Sequence, residues 1–455
     1  MKKNDIFTAE IEAVSAEGNG ICRIDGFAVF VSGGAVGDVA EIRIVKMLKN
    51  YAFGRLERLI TPSPYRTDPI CPCFQRCGGC VYRHISYEEE LRIKHRRVAD
   101  AVGRIGGFRD FPIDPIVGAE RTDGYRNKAQ LPVSLGKNGV EIGFFANHSH
   151  RITDTDRCLL QPEIFNKALK IFREFLNQTD NPPYIESEHK GVVRHLYLRL
   201  GEKTGELMVC PVINADCLND EDRLVEMLRA GLPGLKTVVI NTNTKRTNVI
   251  LGEKNRTVLG GGYIEDELCG CRFRISPLSF YQVNRTQAEK LYTLCAEYAD
   301  LSENDTLLDL YCGTGTIGLT MASRCKRLIG AEIVEQAVAD ARINAKINGI
   351  ENAEFICADA AQAAQRLALK SVSPDVVIID PPRKGCSAEL IETIAKMLPK
   401  RVVYVSCDPA TLARDLSRFA ALPDGMSYLP VKITPLDMFP RTAHVETVCL
   451  LSRNK

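Results

Sequence analysis

The 455-residue chain has no tryptophan, no marked excess of either charge, and no apolar run near the roughly 18 residues a bilayer span needs. The missing run excludes a helical membrane segment, so no membrane partner is expected. The near balance of 59 basic and 57 acidic residues, a net charge of +2, excludes nucleic-acid binding by bulk charge but leaves room for a local patch. The opening stretch MKKNDIFTAEIEAV sets two lysines ahead of no apolar core, so no secretory signal is expected and the reducing cytoplasm is the expected compartment. Cysteine, by contrast, is abundant. Seventeen of them in a reducing compartment point to metal or catalysis rather than disulfides. Apolar content of 45% and charged content of 25% suit an ordinary globular chain, and the length suits two to four domains at roughly 100–200 residues each. No obligate protein partner is evident.

Residues 1–60 alternate apolar and polar positions with glycine punctuation, which predicts four or five short strands in a small β-barrel or sandwich. A proline-rich linker, Thr61 to Pro69, leads to a cysteine cluster at 71–80, and residues 86–105 suit an amphipathic helix. From about 125 to 280 the texture is mixed and β-rich. RHLYLRLG, GELMVCPVI, KTVVINTN, TNVILG and CRFRISP are strand candidates, with helices near 163–178 and 221–230. From about 300, TLLDLYC, RLIGAEI, AEFICAD, DVVIID and RVVYVSC each precede a helical pattern, implying βαβ units and a parallel sheet. SYLPVKIT and HVETVCLLS have no helix between them and predict an antiparallel closing pair. The expected division is 1–60, 61–280 (with residues about 86–115 packing on the last domain) and 281–455.

After the first strand of the alternating region comes Asp309-Leu-Tyr-Cys-Gly313-Thr-Gly315-Thr-Ile-Gly318. Its glycines permit a tight turn and close approach to a ligand, but the pattern alone fits a dinucleotide equally well. Glu332 ends the second strand, where a carboxylate can accept from ribose hydroxyls; a solvated helix cap is its bland alternative. Asp359 ends the third strand and Asp380-Pro-Pro-Arg-Lys-Gly385 follows the fourth. Such carboxyl ends line the ligand crevice of open α/β sheets. Two prolines fix an extended loop that a nicotinamide fold does not need, so the series favours S-adenosylmethionine.

The fifth strand ends at Cys407, just before a helix opening at Asp408-Pro409, and the positive end of the helix dipole is expected to lower the thiol's pKa. A buried, inert cysteine is the alternative. Glu446 begins the last strand, in Arg441-Thr-Ala-His444-Val-Glu446. If that strand is antiparallel, its start shares a rim with the ends of the parallel strands, and Cys407 and Glu446 face one pocket. A nucleophile and a base beside a methyl donor point to carbon 5 of uracil: thiolate addition at carbon 6 creates the enolate, and a base later removes the carbon 5 proton.

The chain resembles the RNA 5-methyluridine methyltransferases, and within them the iron–sulfur 23S rRNA type. The resemblance rests on Ser279-Phe-Tyr-Gln282-Val-Asn284, LDLYCGTGTIGL, DPPRKG, YVSCDPATLARD, DMFPRTAHVETV and YRNKAQ at 125–130, with an N-terminal barrel like that family's TRAM domain. It implies a class I, Rossmann-like α/β methyltransferase domain behind a TRAM/OB-like barrel and a β-rich central domain. It implies Cys407 as nucleophile, Glu446 as proton acceptor, and Gln282, Tyr311, Glu332 and Asp380 as residues for S-adenosyl-L-methionine, with Asp359 a neighbour. Asp408 stands where many relatives have asparagine, a position read as a helix cap. A tRNA-directed enzyme and a non-catalytic RNA-binding or assembly factor are the alternatives.

Cys71-Pro-Cys73-Phe-Gln-Arg-Cys77-Gly-Gly-Cys80 admits three readings. Zinc needs four ligands that this spacing supplies only under strain or with help from elsewhere. Cys73, Cys77 and Cys80 have the CxxxCxxC spacing of a radical enzyme, yet carbon 5 of uracil needs no radical. The third reading takes Cys71, Cys77 and Cys80 with the distant Cys158 as ligands of a closed 4Fe–4S cluster, the set the resemblance implies, with Cys73 spare.

The densest basic stretch runs from Arg83 and His84 through Arg92, Lys94, His95, Arg96, Arg97 and Arg104 to Arg109. A solvated helix face and contact with RNA phosphates are its two readings. Reaching carbon 6 requires a uridine out of its stack, so a splayed or single-stranded base in RNA, 23S rRNA by resemblance, is expected. Without tryptophan, stacking falls to Phe280, Tyr281 or Phe439.

Overall fold

In the computed structural model, which describes residues 1–137, 139–147 and 149–454, the N-terminal alternation gives six strands. They are β1 (Ile6–Glu10), β2 (Ala13–Val14), β3 (Gly20–Ile24), β4 (Phe27–Ser32), β5 (Val39–Met47) and β6 (Tyr51–Thr61), in the sheet order β1-β5-β6-β4-β3-β2. Their inward positions, among them Cys22, Val29, Val31, Ile42 and Ile44, share one core. The linker is held to this unit by Asp38, a buried carboxylate. It accepts from the backbone N–H of Ala35 (2.7 Å) and Ser63 (2.9 Å) and pairs with Arg66 at 2.5 Å. Helix α1 (Tyr87–Arg104) follows, capped by Ser86, whose hydroxyl accepts from the Glu89 N–H.

The central sheet contains β7 (Lys128–Gly136), β8 (Gly139–Phe145), β9 (Ile152–Asp154), β10 (Val193–Leu200), β11 (Leu207–Ile213), β12 (Leu235–Thr242) and β13 (Lys254–Leu259). Their order is β13-β12-β11-β10-β7-β8-β9. Helices α2 (Glu163–Gln178) and α3 (Glu221–Gly231) cover one face, where Phe165, Phe172 and Leu228 meet Leu196, Leu198 and Val209. On the other face Tyr197, Met208, Cys210 and Val212 join the core of the C-terminal domain. With both faces covered, β11 is buried at every position. The expected strand TNVILG is a loop instead. Side chains of Asn241 and Asn243 take up its backbone: Asn243 Nδ2 donates to the carbonyls of Val249 (2.7 Å) and Ile250 (3.0 Å), and the Gly252 N–H donates to Asn241 Oδ1 (2.7 Å). The strand falls on the less apolar KNRTVL that follows. A hairpin, β14 (Ile264–Leu268) and β15 (Cys271–Ile275), completes this part.

Helix α4 (Arg285–Ala299) introduces the last domain, which alternates β16 (Thr306–Leu310), α5 (Thr316–Met321), β17 (Arg327–Glu332), α6 (Glu335–Ile347), β18 (Ala353–Cys357), α7 (Ala360–Leu369), β19 (Val376–Ile379), α8 (Ala388–Lys396), β20 (Arg401–Ser406) and α9 (Pro409–Ala420). Strands β21 (Tyr428–Leu436) and β22 (Glu446–Arg453) close it as an antiparallel pair. The sheet order is β18-β17-β16-β19-β20-β22-β21, parallel through β20, with β22 antiparallel to both its neighbours. The order reverses between β16 and β19, which opens a crevice at their carboxyl ends. Val98 and Val102 of α1 sit in the same core as Leu412 and Leu416 of α9, so this helix packs on the C-terminal domain.

Candidate active site

Two strand ends bring the candidate pair together. Ser406 faces Thr447 in the antiparallel β20/β22 register, so the next residues outward, Cys407 and Glu446, stand side by side at the rim where β16 and β19 also end. Glu446 is 6% exposed and Cys407 half-buried. Burial pushes the Glu446 carboxyl up to about 8; the Asp380 carboxylate adds to the rise and the Arg383 guanidinium opposes it. The Cys407 thiol is likewise pushed up to about 11, by burial first and then by Glu446 and Asp380, again against Arg383.

This reverses the lowering expected from the helix dipole. The free amide at the start of α9 is taken by the capping carboxylate of Asp408, which accepts from the Thr411 N–H at 2.9 Å, while the thiol lies one residue outside among carboxylates. Asp408 is thus the helix cap read from the sequence.

Arg383 is held in place through the turn that carries it. The buried Asp415 of α9 accepts from the Cys386 N–H (2.8 Å), and Arg414 donates to the Lys384 carbonyl (2.8 Å). Arg383 Nη2 in turn reaches His444 Nε2 at 3.4 Å. Burial and the cations around it (Arg383, Arg97, Arg126 and Lys94) hold His444 down at about 4, so its ring is neutral and accepts from Arg383. Neither Arg383 nor His444 was assigned a role from sequence, although both stand inside the motifs that drew attention.

The segment 437–446 that delivers Glu446 is clamped by α1. Lys94, fully buried, donates to Glu90 Oε1 (2.6 Å), Asp437 Oδ1 (2.7 Å) and the Phe439 carbonyl (3.2 Å). Tyr87 donates to Asp437 Oδ2 (2.8 Å), Arg97 to the Ala443 carbonyl (2.7 Å) and Tyr125 to the Pro440 carbonyl (2.9 Å). Arg441 adopts φ +70°, in the left-handed region, and its carbonyl accepts from the Val81 N–H at 2.8 Å. Much of the basic stretch is therefore spent inward. Arg83 and His84 are buried too, and Arg92, Arg96, Arg104 and Arg109 are the members left exposed.

Across the crevice, the turn after β16 places Tyr311 at φ +64° and Gly315 at φ +81°. A Cβ on Gly318 would sit 2.8 Å from Asp309 Oδ2, the atom that accepts from the Gly318 N–H at 2.9 Å. The other oxygen, Asp309 Oδ1, is buried with no partner, and burial pushes this carboxyl up to about 7. An orphaned acceptor behind a glycine turn fits the turn to a polar, cationic ligand. Asp309 carried its own sequence signal, a lone carboxylate in an apolar strand. Glu332 lies beside it, accepting from the N–H of Gly313 (3.1 Å) and Val334 (2.9 Å). Asp380, at the end of β19, is raised to about 7 by burial. Gln282 is buried, its carbonyl accepting from Asn127 Nδ2 at 2.8 Å. Asp359 caps α7, accepting from the Ala361 N–H at 2.9 Å. Of the aromatics, Phe280 is 59% exposed, whereas Tyr281 is 2% exposed with its hydroxyl bonded to Asp266 (3.1 Å), which removes it from stacking. Phe439 is half-buried, edge-on to His444 at 6.0 Å.

A separate cavity of about 90 Å³ is lined by Cys71, Cys73, Cys77, Cys80 and Cys158, with Arg83 and Arg126 on its wall. The distant Cys158 thus joins the cluster. Burial raises Cys77 to about 11 and Cys158 to about 12. Among the described residues no three side chains of the metal-binding types are gathered about one point that could hold an ion.

Comparison with known proteins bears on the C-terminal domain and on the N-terminal barrel. The family model for tRNA (uracil-5-)-methyltransferases matches residues 246–454, and that for the TRAM domain matches residues 2–56. An uncharacterized RNA methyltransferase of Clostridium tetani is 41% identical over 452 residues, covering 99% of this chain and 97% of the relative. One of Bacillus cereus is 41% identical over 453 residues, covering 100% and 98%. Among solved structures, the Pyrococcus abyssi tRNA (uracil-54, C5)-methyltransferase in complex with S-adenosyl-L-homocysteine superposes with a TM-score of 0.79 at 28% identity, covering 98% of this chain and 99% of that one.

Proposed function

The chain belongs to the RNA uracil-5-methyltransferases, and we propose that it methylates carbon 5 of a uridine in 23S rRNA, with Cys407 as nucleophile and Glu446 as proton acceptor. The observation that carries this reading is the β20/β22 register, by which a thiol and a carboxylate share one rim. Gln282, Tyr311, Glu332 and Asp380 would hold S-adenosyl-L-methionine, with the orphaned Asp309 oxygen behind them. When bound, that molecule supplies an electrophilic methyl group. Cys407, its proton lost to solvent, bonds through Sγ to carbon 6, which makes carbon 5 nucleophilic. Once carbon 5 bears the methyl group, the Glu446 carboxylate takes its proton and the bond to Cys407 breaks. Arg383 offsets the anionic charge of this pair and of Asp380.

Labelled methyl transfer from S-adenosylmethionine to unmodified 23S rRNA and tRNA transcripts tests the reading. The expected result is transfer to 23S rRNA, its loss in Cys407→Ala, and a covalent RNA–protein adduct in Glu446→Gln that survives denaturing electrophoresis. Normal turnover by Glu446→Gln overturns its role. Transfer to tRNA alone favours the second reading, which the likeness to the tRNA-directed archaeal enzyme supports. RNA binding with no transfer by the wild type leaves an assembly factor.

The cysteine cavity is part of the same proposal, as the seat of a 4Fe–4S cluster on Cys71, Cys77, Cys80 and Cys158. In such a cluster each thiolate binds a different iron, so its ligands ring a cavity instead of converging on a single ion as zinc requires. Arg83, which bears on Cys80, suits its anionic charge. Anaerobic purification should give iron and acid-labile sulfide in equal amounts, lost in Cys158→Ser and kept in Cys73→Ser. Loss in Cys73→Ser would change the ligand set.

A further inference from the structure

One face of the central sheet carries cations with no carboxylate to balance them. Lys128 of β7 and Arg199 of β10 are directly opposite in the antiparallel register, a placement in which like charges repel. Arg126 stands two residues before Lys128. Among the described residues none of the three has a carboxylate partner within salt-bridge distance, whereas most buried charges are paired. Arg199 is 2% exposed. Its Nε donates to Tyr197 Oη (2.6 Å) and its Nη2 to the Ser279 carbonyl, but Nη1 has no partner, and neither does Nε of Arg126. Burial first, then Arg199 and Arg126, pushes the Lys128 ammonium down to about 8.

The location of this group is as telling as its charge. Arg126 lies over the Phe439 ring at 5.8 Å and is one of the cations bearing on His444, so it borders the segment that delivers Glu446. Asn127, between Arg126 and Lys128, holds the Gln282 carbonyl, and Arg199 holds that of Ser279. The cations thus adjoin the two segments, about Ser279–Gln282 and Phe439, that the proposed reading sets around the flipped base. A base leaves its stack only if its backbone is held, and phosphate is the charged group that accompanies it.

We propose that Arg126, Lys128 and Arg199 form an oxyanion site that holds the RNA phosphate beside the target uridine. The inference rests on the uridine-methylating reading. The carboxylate of the methyl donor offers the same chemistry, and the test separates the two. Lys128 is half-buried and so keeps a side open to an anion, while Arg199, opposite it in the sheet, is buried. Binding of the anion relieves a repulsion that the free protein bears.

Lys128→Gln is the decisive variant, measured in the Cys407→Ala background so that binding is read apart from chemistry. Filter binding of 23S rRNA transcript across about 50 to 200 mM KCl should show weaker affinity and a log–log salt slope smaller by about 0.7–0.9. The melting temperature of the free protein should stay level or rise, because a like-charge contact is removed. The calorimetric Kd for S-adenosylhomocysteine should be unchanged. An unchanged salt slope with weaker S-adenosylhomocysteine binding would assign the site to the donor carboxylate and overturn the proposal. No change in either, or a fall in melting temperature with the slope intact, would leave the cations purely structural and overturn it too. Methyl transfer by the Cys407-intact enzyme, run in parallel, reports on the underlying reading; its failure with RNA binding and slope change intact would sink that reading and not the phosphate site.

Discussion

In the free protein Cys407 is a thiol, because desolvation and two neighbouring carboxylates outweigh the one guanidinium near it. On the proposed mechanism its reactivity would have to be created when the substrate arrives, and the resting thiol would resist alkylation. The rate of Cys407 alkylation by iodoacetamide in RNA-free protein should keep climbing with pH to about 11. Asp380→Asn should quicken the reaction at fixed pH, by removing a like charge, and Arg383→Ala should slow it. A rate already level at neutral pH would show a thiolate at rest. The sequence singled out the two residues proposed to react by their places at strand ends. Their ionisation was not readable there, since it depends on which carboxylates the fold crowds around the sulfur.

At the scale of elements, the contact that decides the site is between α1 and the segment 437–446. Lys94 is buried with Glu90 and Asp437 on either side, so removing its ammonium leaves two carboxylates in the interior. Lys94→Met should cost about 3–5 kcal/mol of stability, measured by denaturant unfolding. Asp408→Ala should cost only about 1 kcal/mol through loss of a helix cap, and Asp408→Asn close to nothing. The helix itself was legible from its amphipathic spacing and its Ser86 start. That its basic residues turn inward was not, because their partners lie some 340 residues further along the chain. The loop at 247–252 shows the opposite failure: an apolar pattern read as a strand lost its ladder to two asparagine side chains.

Among the buried carboxyls that hold their protons more tightly folded than unfolded, three stand at the crevice: Glu446, raised from 4.5 to about 8, and Asp309 and Asp380, each raised from 3.8 to about 7. Between those unfolded and folded values the native chain carries extra protons, so its stability falls as pH rises. The ligand-free protein should melt lower at about pH 8.5 than at about pH 5.5, the opposite of a protein stabilised by ionised carboxylates. Asp309→Asn should flatten that slope, recovering up to about 4 kcal/mol at the alkaline end. An unaltered slope in this variant would remove Asp309 from the account. These three groups surround one crevice, so their share of the instability belongs to the site.

By itself the sequence determined the alternation of the C-terminal domain, the antiparallel closing pair and the residues at each strand end. Period, glycine turns and proline loops act locally, and local rules suffice for them. Only the tertiary structure decided that one helix's cations clamp a distant segment and that Arg199 comes opposite Lys128. Those outcomes depend on which strands become neighbours, and pairing is a property of the assembled sheet rather than of any stretch within it.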